Sequence, residues 1–424
     1  MSKKEQKFTV FKFGGASVKD AAAVRNVAKI LKRNQNKPLV VVVSAMGKTT
    51  NALEEIVNLA KKEKDFTPAI RKLVDYHLSI LTKLFKPNHL IFNVLERIIN
   101  QLTISSAKLS QKDYNFFYDQ IVSYGEIIST TIISEYLNEV GIKNTYLDAR
   151  DYIITDDTYR EAKVNWKKSK QLITKITNKN NLYITQGFIG KTSRNKTTTL
   201  GREGSDFTAA IFAYCLDAKE VMIWKDVPGM LNADPKWFDK PSILKNISYY
   251  EAVELAYYGA TVIHPKTIKP LQNKNITLYV KSFLKPSLKG TLINENISKD
   301  SLIPSFIFKV NQILISISAK DYSFIVEDNL SDIFKLFANF NVKINLMQNS
   351  AISFSVCCDN DKTKIIPLLK KLTKHYKILY NTDVELVTIR HFDTKTISRV
   401  TKNKNVLLQQ KSRTTARMVM KDKF

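Results

Sequence analysis

The stretch FTVFKF (8–13), GGASVKD (14–20), AAAVRNVAKILKRN (21–34) and LVVVV (39–43) decides the fold. It reads as a strand, a glycine turn, a helix and a second strand. LVVVV contains no polar residue, so that strand is expected to be covered on both faces, as in a parallel sheet between two helix layers.

Outward from this unit, apolar spacing is helical from about 51 to 140, with few breakers beyond KPN (86–88). A helical insertion is expected there. The α/β pattern resumes with TYLDAR (145–150), NLYITQGFIG (181–190), SDFTAAIFAYCLDA (205–218), EVMIWKDVPG (220–229) and ITLYVKSF (276–283). Together these predict a doubly wound α/β/α sandwich with a mainly parallel sheet over residues 1–297.

The polar, turn-rich NENISKDSLIP (294–304) marks a boundary. Beyond it the pattern reads strand (306–318), helix (328–339), strand (342–348), strand (351–358), helix (361–374) and strand (383–390). This is the βαββαβ order of a ferredoxin-like α+β unit. Residues 298–424 are therefore expected to form a second region, with a first module at about 305–382. The segment after Arg390, including the apolar TARMVM, is too short for a second full unit.

A chain of 424 residues is too long for one ordinary domain, and 44% hydrophobic content supplies sizeable cores. The 66 Lys+Arg against 39 Asp+Glu give a formal charge of +27, which on its own suggests an anionic partner. The lysines, however, are scattered from MSKKEQK to MVMKDKF among abundant Asn and Ile, as AT-rich codon usage produces. No compact basic stripe with interleaved aromatics stands out, so neither nucleic acid nor membrane is expected as a partner. The three cysteines, Cys215, Cys357 and Cys358, are odd in number and fit a reducing cytoplasm. The opening residues read as strand and turn rather than as an apolar signal core, and no run reaches the roughly 18 apolar residues of a membrane span. The five histidines share no ligand spacing with the cysteines, so no metal site is expected.

Four segments put polar groups at the carboxyl ends of predicted strands, where open α/β sheets bind ligands. In FKFGGAS, Lys12 stands beside Gly14 and Gly15, a pairing that suits an anion but is also an ordinary tight turn with a lysine. In VVVVSAMGKTTN, Ser44 and Thr50 follow a buried strand, without the spacing of a P-loop. In SYGEIIST, Glu126 lies early in a helix, favourable for the helix dipole and of interest for an ammonium-bearing ligand. In TTTLGREGSD (197–206), threonine hydroxyls precede Gly201 and Gly204, Arg202 offers a fork for a carboxylate or phosphate, and Ser205 and Asp206 open a helix. Ser205 would also serve as a simple helix cap. WKDVPGMLNADP then places Lys225, Asp226 and Gly229 past another buried strand, at a nucleotide edge or an ordinary turn.

KFGGAS, SYGE, TQGFIG, TTTLGREGSD, WKDVPG and GATVIHP occur together in an order and spacing that closely resembles the aspartate kinases, a branch of the amino-acid kinase family. The resemblance covers nearly the whole chain. It implies ATP-dependent phosphorylation of the L-aspartate β-carboxylate to 4-phospho-L-aspartate, the first step of lysine, threonine and methionine synthesis, with Mg²⁺ carried on ATP. By this resemblance Lys12 stabilises the transferring phosphate with the Gly14 and Gly15 amides, and Asp206 organises the site. Arg202 holds a substrate carboxylate, Glu126 pairs with the ammonium, and Ser44, Thr50, Gly204 and Ser205 complete the aspartate contacts. Lys225, Asp226, Gly229 and Lys266 fall on the nucleotide side. The tail resembles ACT regulatory modules, the second shortened, which implies a homodimer through this region and a feedback amino acid, lysine or threonine. The competing readings are a related kinase for another carboxylate and a non-catalytic ligand-binding relic.

The chain departs from the family at three places. Many relatives have glycine at Glu203, threonine at Lys225 and lysine at Thr261. The last loss removes a cation expected near ATP, for which Lys266 or Lys225 is the expected replacement.

Overall fold

The computed structural model describes residues 7–34, 37–176, 181–260, 263–321 and 323–423. Two compact units are present. One comprises Met1–Met230, Ile243–Val253 and Val262–Lys299, the other Leu231–Ser242, Glu254–Thr261 and Asp300–Phe424.

In the first unit the strands are β1 (Thr9–Phe13), β2 (Leu39–Val43), β3 (Thr145–Leu147), β4 (Ile154–Thr155), β5 (Leu182–Gln186), β6 (Ile189–Thr192), β7 (Thr197–Thr199), β8 (Glu220–Lys225), β9 (Asn246–Ser248), β10 (Thr277–Ser282) and β11 (Thr291–Asn294). The main sheet runs β3-β5-β2-β1-β8-β10-β11-β9, and β4-β6-β7 form a small second sheet. From β3 to β10 every neighbouring pair is parallel, and only β10–β11 is antiparallel. β1 and β2 are buried along their whole length, as the unbroken apolar character of β2 requires; β1 buries Thr9 and Lys12 as well.

The helices of this unit are α1 (Ala21–Lys32), α2 (Thr49–Lys61), α3 (Thr67–Leu84), α4 (Ile91–Leu109), α5 (Tyr114–Val122), α6 (Tyr124–Glu139), α7 (Ala149–Tyr152), α8 (Trp166–Ile173), α9 (Gly204–Cys215), α10 (Tyr249–Tyr258) and α11 (Pro265–Gln272). The second half of α10 belongs to the other unit. Helices α2 to α6 fill the interval between β2 and β3, where sequence spacing predicts helices, and their apolar faces share one core with β1, β2 and α1. Sheet order reverses at β1: the chain moves from β1 to β2 on one side and returns to β8 on the other. Such a switch point leaves a crevice at the carboxyl ends of these strands.

In the second unit β12 (Ser305–Ala319), α12 (Glu327–Asn339), β13 (Ile344–Asn349), β14 (Ser353–Asp359), α13 (Lys362–Leu372) and β15 (Tyr376–Arg390) are followed by α14 (Thr394–Thr401), β16 (Lys404–Lys411) and β17 (Thr415–Asp422). The sheet order β13-β14-β12-β15-β17-β16 contains the ferredoxin-like arrangement in its first four strands. β15 begins at Tyr376, not at 383 as the apolar pattern predicts. Its first half pairs with the far half of β12, and pairing then shifts register around Gln312 before Val384 onwards continues. β16, largely exposed, is the strand that the polar KNVLLQQK does not announce. Leu231–Ser242 contributes Ala233 and Phe238 to a core with Phe306, Val387 and Met418.

Candidate active site

Lys12 is the fourth residue of β1, between Phe11 and Phe13, and it is 8% exposed. An ammonium that far from water needs a counter-charge. Asp206, 1% exposed in the first turn of α9, supplies it: Lys12 Nζ lies 2.6 Å from Asp206 Oδ1. Parallel pairing sets Lys12 opposite Ile223 of β8, so Lys225, two residues on, reaches the same carboxylate from the strand's carboxyl end. Its Nζ is 3.5 Å from Asp206 Oδ2. Burial pushes the Asp206 carboxyl up, but the two lysines more than offset this and hold it below its ordinary value of 3.8.

Next to this trio the turns after β1 and β2 touch. A Cβ on Gly15 would come within 2.9 Å of the Ala45 carbonyl oxygen, so that position needs glycine for space, while one on Gly14 would stand 3.2 Å from Lys12 Nζ and crowd the ammonium. Ser44 follows β2 directly and Thr50 lies in the first turn of α2. Glu126, 3% exposed in the first turn of α6, accepts a 3.4 Å hydrogen bond from the Ala45 amide at Oε1. Its other oxygen, Oε2, is buried and accepts none among the described residues. Burial pushes this carboxyl up to about 8, although the Ala45 amide, its own amide and Lys12 all favour the ionised form.

TTTLGREGSD forms β7 and the turn into α9. Glu203, not Ser205, is the residue preceding the helix. It adopts a left-handed backbone with φ 53°, and its side chain makes no capping hydrogen bond among the described residues. The cap-only reading of Ser205 therefore does not hold: Gly204 is already helical, which puts Ser205 inside the first turn. A Cβ on Gly204 would strike the Phe188 ring at 2.6 Å, which fixes how closely TQGF and GREGS approach.

These parts line one cleft of about 860 Å³. Of the residues expected at a site, Lys12, Gly15, Ser44, Thr50, Glu126 and Arg202 are on its wall, as are Gly204, Ser205, Asp206 and Lys225. Gly14, Asp226, Gly229 and Lys266 do not line it. Gly14 adjoins Lys12. Asp226 is exposed, and Gly229 has φ 155° with Thr291 Oγ1 only 2.7 Å from where a Cβ would stand, so backbone conformation and packing both favour glycine there. Lys266 donates to the Leu200 carbonyl at 2.6 Å and lies 5.6 Å over the Phe207 ring. Burial lowers its pKa, offset in part by Glu161 and Glu203. Thr261 lies outside the described residues.

Sequence reasoning missed Asp119 and Arg160. Asp119 is fully buried and accepts from the Thr199 amide and hydroxyl at 2.8 and 2.7 Å, and from the Arg160 amide at 3.0 Å. Burial pushes its carboxyl up to about 6, against these hydrogen bonds. The signal for it was an acid inside the apolar run FFYDQIV. Nothing local marks Arg160, which reaches the cleft only through the fold.

The cleft and its sheet define a small-molecule kinase site of the α/β class. Residues 7–282 match the amino acid kinase family, and the chain belongs to that family. It falls within the aspartokinase branch. Lysine-sensitive aspartokinase 3 of Escherichia coli (strain K12) is 31% identical over 357 residues, covering 82% of this chain and 78% of that one. The chloroplastic aspartokinase 3 of Arabidopsis thaliana is 32% identical, and the match covers 85% of this chain but 66% of the plant protein. Two crystal structures of E. coli aspartokinase III are similar along nearly the whole chain. One, in complex with lysine and aspartate (T-state), gives a TM-score of 0.81 at 28% identity, covering 97% of this chain and 95% of that one. The other, in complex with aspartate and ADP (R-state), gives 0.79 at 27% identity, covering 98% and 96%.

Proposed function

We propose that this chain transfers the γ-phosphoryl group of ATP to the β-carboxylate of L-aspartate, giving 4-phospho-L-aspartate and ADP. The observation that carries this reading is a single cleft in which two ammoniums are locked to a buried carboxylate beside a second buried carboxyl group with an unpartnered oxygen. Glu126 Oε2 fits the substrate's ammonium, a donor that would satisfy it. The acceptor carboxylate is ionised at neutral pH and needs no general base. Its oxygen bonds to the γ-phosphorus as the bond from that phosphorus to the bridging oxygen breaks, and the electron pair leaves with ADP. No proton moves.

The barrier lies in bringing two anions together, and fixed cations lower it most effectively in a site poor in water. Lys12 and Lys225, held side by side by Asp206, supply that charge. The Gly14 and Gly15 amides assist Lys12, and Arg202 takes a substrate carboxylate. Ser44, Thr50, Gly204 and Ser205 complete the aspartate contacts. Asp226 and Gly229 lie on the nucleotide side in this reading, whereas Lys266, also expected there from the resemblance, bonds to the Leu200 carbonyl and supports the turn that presents Arg202. Among the described residues no three His, Cys, Asp or Glu side chains converge as a metal site. Mg²⁺, if carried on ATP, would neutralise charge on the transferring group.

Residues 1–297 are then the catalytic region and 298–424 a regulatory, ACT-type region that binds lysine or threonine and joins two copies of the chain. No described helix is long and apolar enough to cross a membrane, and the proposed location is the cytoplasm.

The test is ATP turnover with L-aspartate, L-glutamate and N-acetylglutamate, trapping acyl phosphate with hydroxylamine. Hydroxamate from aspartate alone is expected. Hydroxamate from another acid instead would identify a different acceptor, and none from any acid would end the catalytic reading. Repeating the assay with lysine and with threonine reads out feedback.

A further inference from the structure

Arg160 lines the same cleft as Arg202, from a loop outside all six sequence motifs. Its backbone has φ 68°, in the left-handed region that side-chain-bearing residues rarely adopt. A buried acid holds it there: the Arg160 amide donates to both oxygens of Asp119, at 3.1 and 3.0 Å. The same carboxylate takes the amide and hydroxyl of Thr199, the last residue of β7, whose chain continues into Gly201 and Arg202. The Arg160 carbonyl oxygen is 3.1 Å from the point where a Cβ on Gly201 would stand, so the two loops abut. One carboxylate thus sets both arginines in a common frame.

The guanidinium lies 4.3 Å over the Tyr118 ring and 5.6 Å from the centroid of the Tyr114 ring, and its five N–H donors suit a planar acceptor. Besides Tyr118, it pairs with Glu54 at 3.4 Å, the two side chains being 41% and 37% exposed. An ion pair that open is worth little and is readily exchanged. L-aspartate brings two carboxylates, and only one of them is the nucleophile that must lie near Lys12.

We propose that Arg160 binds the substrate's α-carboxylate beside Arg202, as a second specificity-determining arginine, and that Asp119 is a positioning residue for both. This rests on the aspartate reading of the cleft. It predicts that the α-carboxylate is recognised by two forks, so that losing one weakens aspartate without touching the nucleotide.

The experiment uses the full chain and direct binding, so that it does not depend on turnover. Titration calorimetry compares L-aspartate with β-alanine, which keeps the ammonium and the reacting carboxylate but lacks the α-carboxylate. Arg160→Met is expected to weaken L-aspartate about tenfold or more, the scale of a lost charge-assisted hydrogen bond, while β-alanine and ATP change less than about twofold. Arg160→Lys should recover part of the loss. Asp119→Asn, if it folds, should reproduce the loss of discrimination. If it does not fold, the two Arg160 variants decide alone.

An Arg160→Met protein that discriminates L-aspartate from β-alanine as well as the wild type overturns the proposal. An equal loss for both ligands also overturns it, because that indicates a structural role. Wild-type protein that binds aspartate through Arg160 but makes no hydroxamate would overturn the kinase reading and leave this inference standing.

Discussion

Lys12 and Asp206 form a buried ion pair of 2.6 Å between a central strand and the first turn of a helix, and Lys225 closes on the same carboxylate from the neighbouring strand. In the proposed function the pair serves both folding and chemistry, and substitutions can separate the two. Lys12→Met leaves Asp206 charged, buried and short of one partner, a change that costs about 3–5 kcal/mol. Lys12→Met/Asp206→Asn removes that uncompensated charge. The double variant is expected to recover much of the Tm lost in the single one, while both stay at least about 10³-fold below wild type in turnover. A double variant no more stable than Lys12→Met would show that the pair does not carry stability. Because Asp206 is held below its ordinary pKa of 3.8, the stabilisation of the wild type is present above that pH and is lost as pH falls further.

Glu126 gives a prediction of opposite sign. Its carboxyl is raised from 4.5 to about 8 by burial, so the folded protein binds a proton that the unfolded chain releases. Its stabilising contribution is full below pH 4.5 and is lost as pH rises from there to about 8. Glu126→Gln mimics the protonated form. Its Tm should match the wild type near pH 4 and exceed it by about 3 °C or more at pH 8.5, where the loss is several times the free energy that shifts Tm by a few degrees. The same variant should bind aspartate poorly, since a neutral amide cannot replace a carboxylate beside the ammonium. Parallel Tm curves across this pH range would contradict the burial argument.

Lys266 tests which substrate a displaced cation serves. Its ammonium bonds to the Leu200 carbonyl, one residue before the Gly201–Glu203 turn, and it does not line the cleft with Lys12. The lysine missing at Thr261 suggests a role toward ATP, whereas this hydrogen bond suggests support of the turn that presents Arg202. Lys266→Met is therefore expected to raise the aspartate KM several-fold, as loss of a hydrogen bond of about 1–2 kcal/mol implies, with the ATP KM within about twofold. A change confined to ATP would return Lys266 to the nucleotide side.

Much of this arrangement was legible because it rests on local pattern. LVVVV, bounded by turns, reads as a strand covered on both faces, and FKFGGAS follows β1 at the switch point. TTTLGREGSD instead follows β7 of the small sheet, and SYGE lies at the junction of α5 and α6 rather than at the end of a strand as its pattern predicts. The features that were not legible depend on distant partners. The first half of β15, with Leu379 65% and Tyr380 56% exposed, lacks inward alternation and is a strand because β12 pairs with it. β16 has one neighbour, β17, and a polar surface that needs no apolar signature. Asp119 and Arg160 are 41 residues apart in sequence and meet only when α5 packs against β7. Six motifs in order identified the family, but no spacing could announce a fork held by a buried acid from another segment.

Glu203 offers the last test, because the chain places a side chain where backbone geometry favours none. Its φ of 53° lies in the left-handed region, and its Oε2 is buried without a hydrogen bond among the described residues. Both features cost free energy in the folded state, on the order of 1 kcal/mol each. Glycine relieves both but also adds freedom to the unfolded chain, which takes back part of the gain. Glu203→Gly is expected to raise stability by about 1 kcal/mol in denaturant unfolding, with an unchanged m-value. If the carboxylate contributes to substrate binding, the more stable variant will be the poorer enzyme, and its KM values will say toward which substrate. If Glu203 only occupies the turn, stability will rise and both KM values will hold within about twofold. A less stable Glu203→Gly protein would mean that the attraction of Glu203 to Lys266 and His264 outweighs strain and burial together.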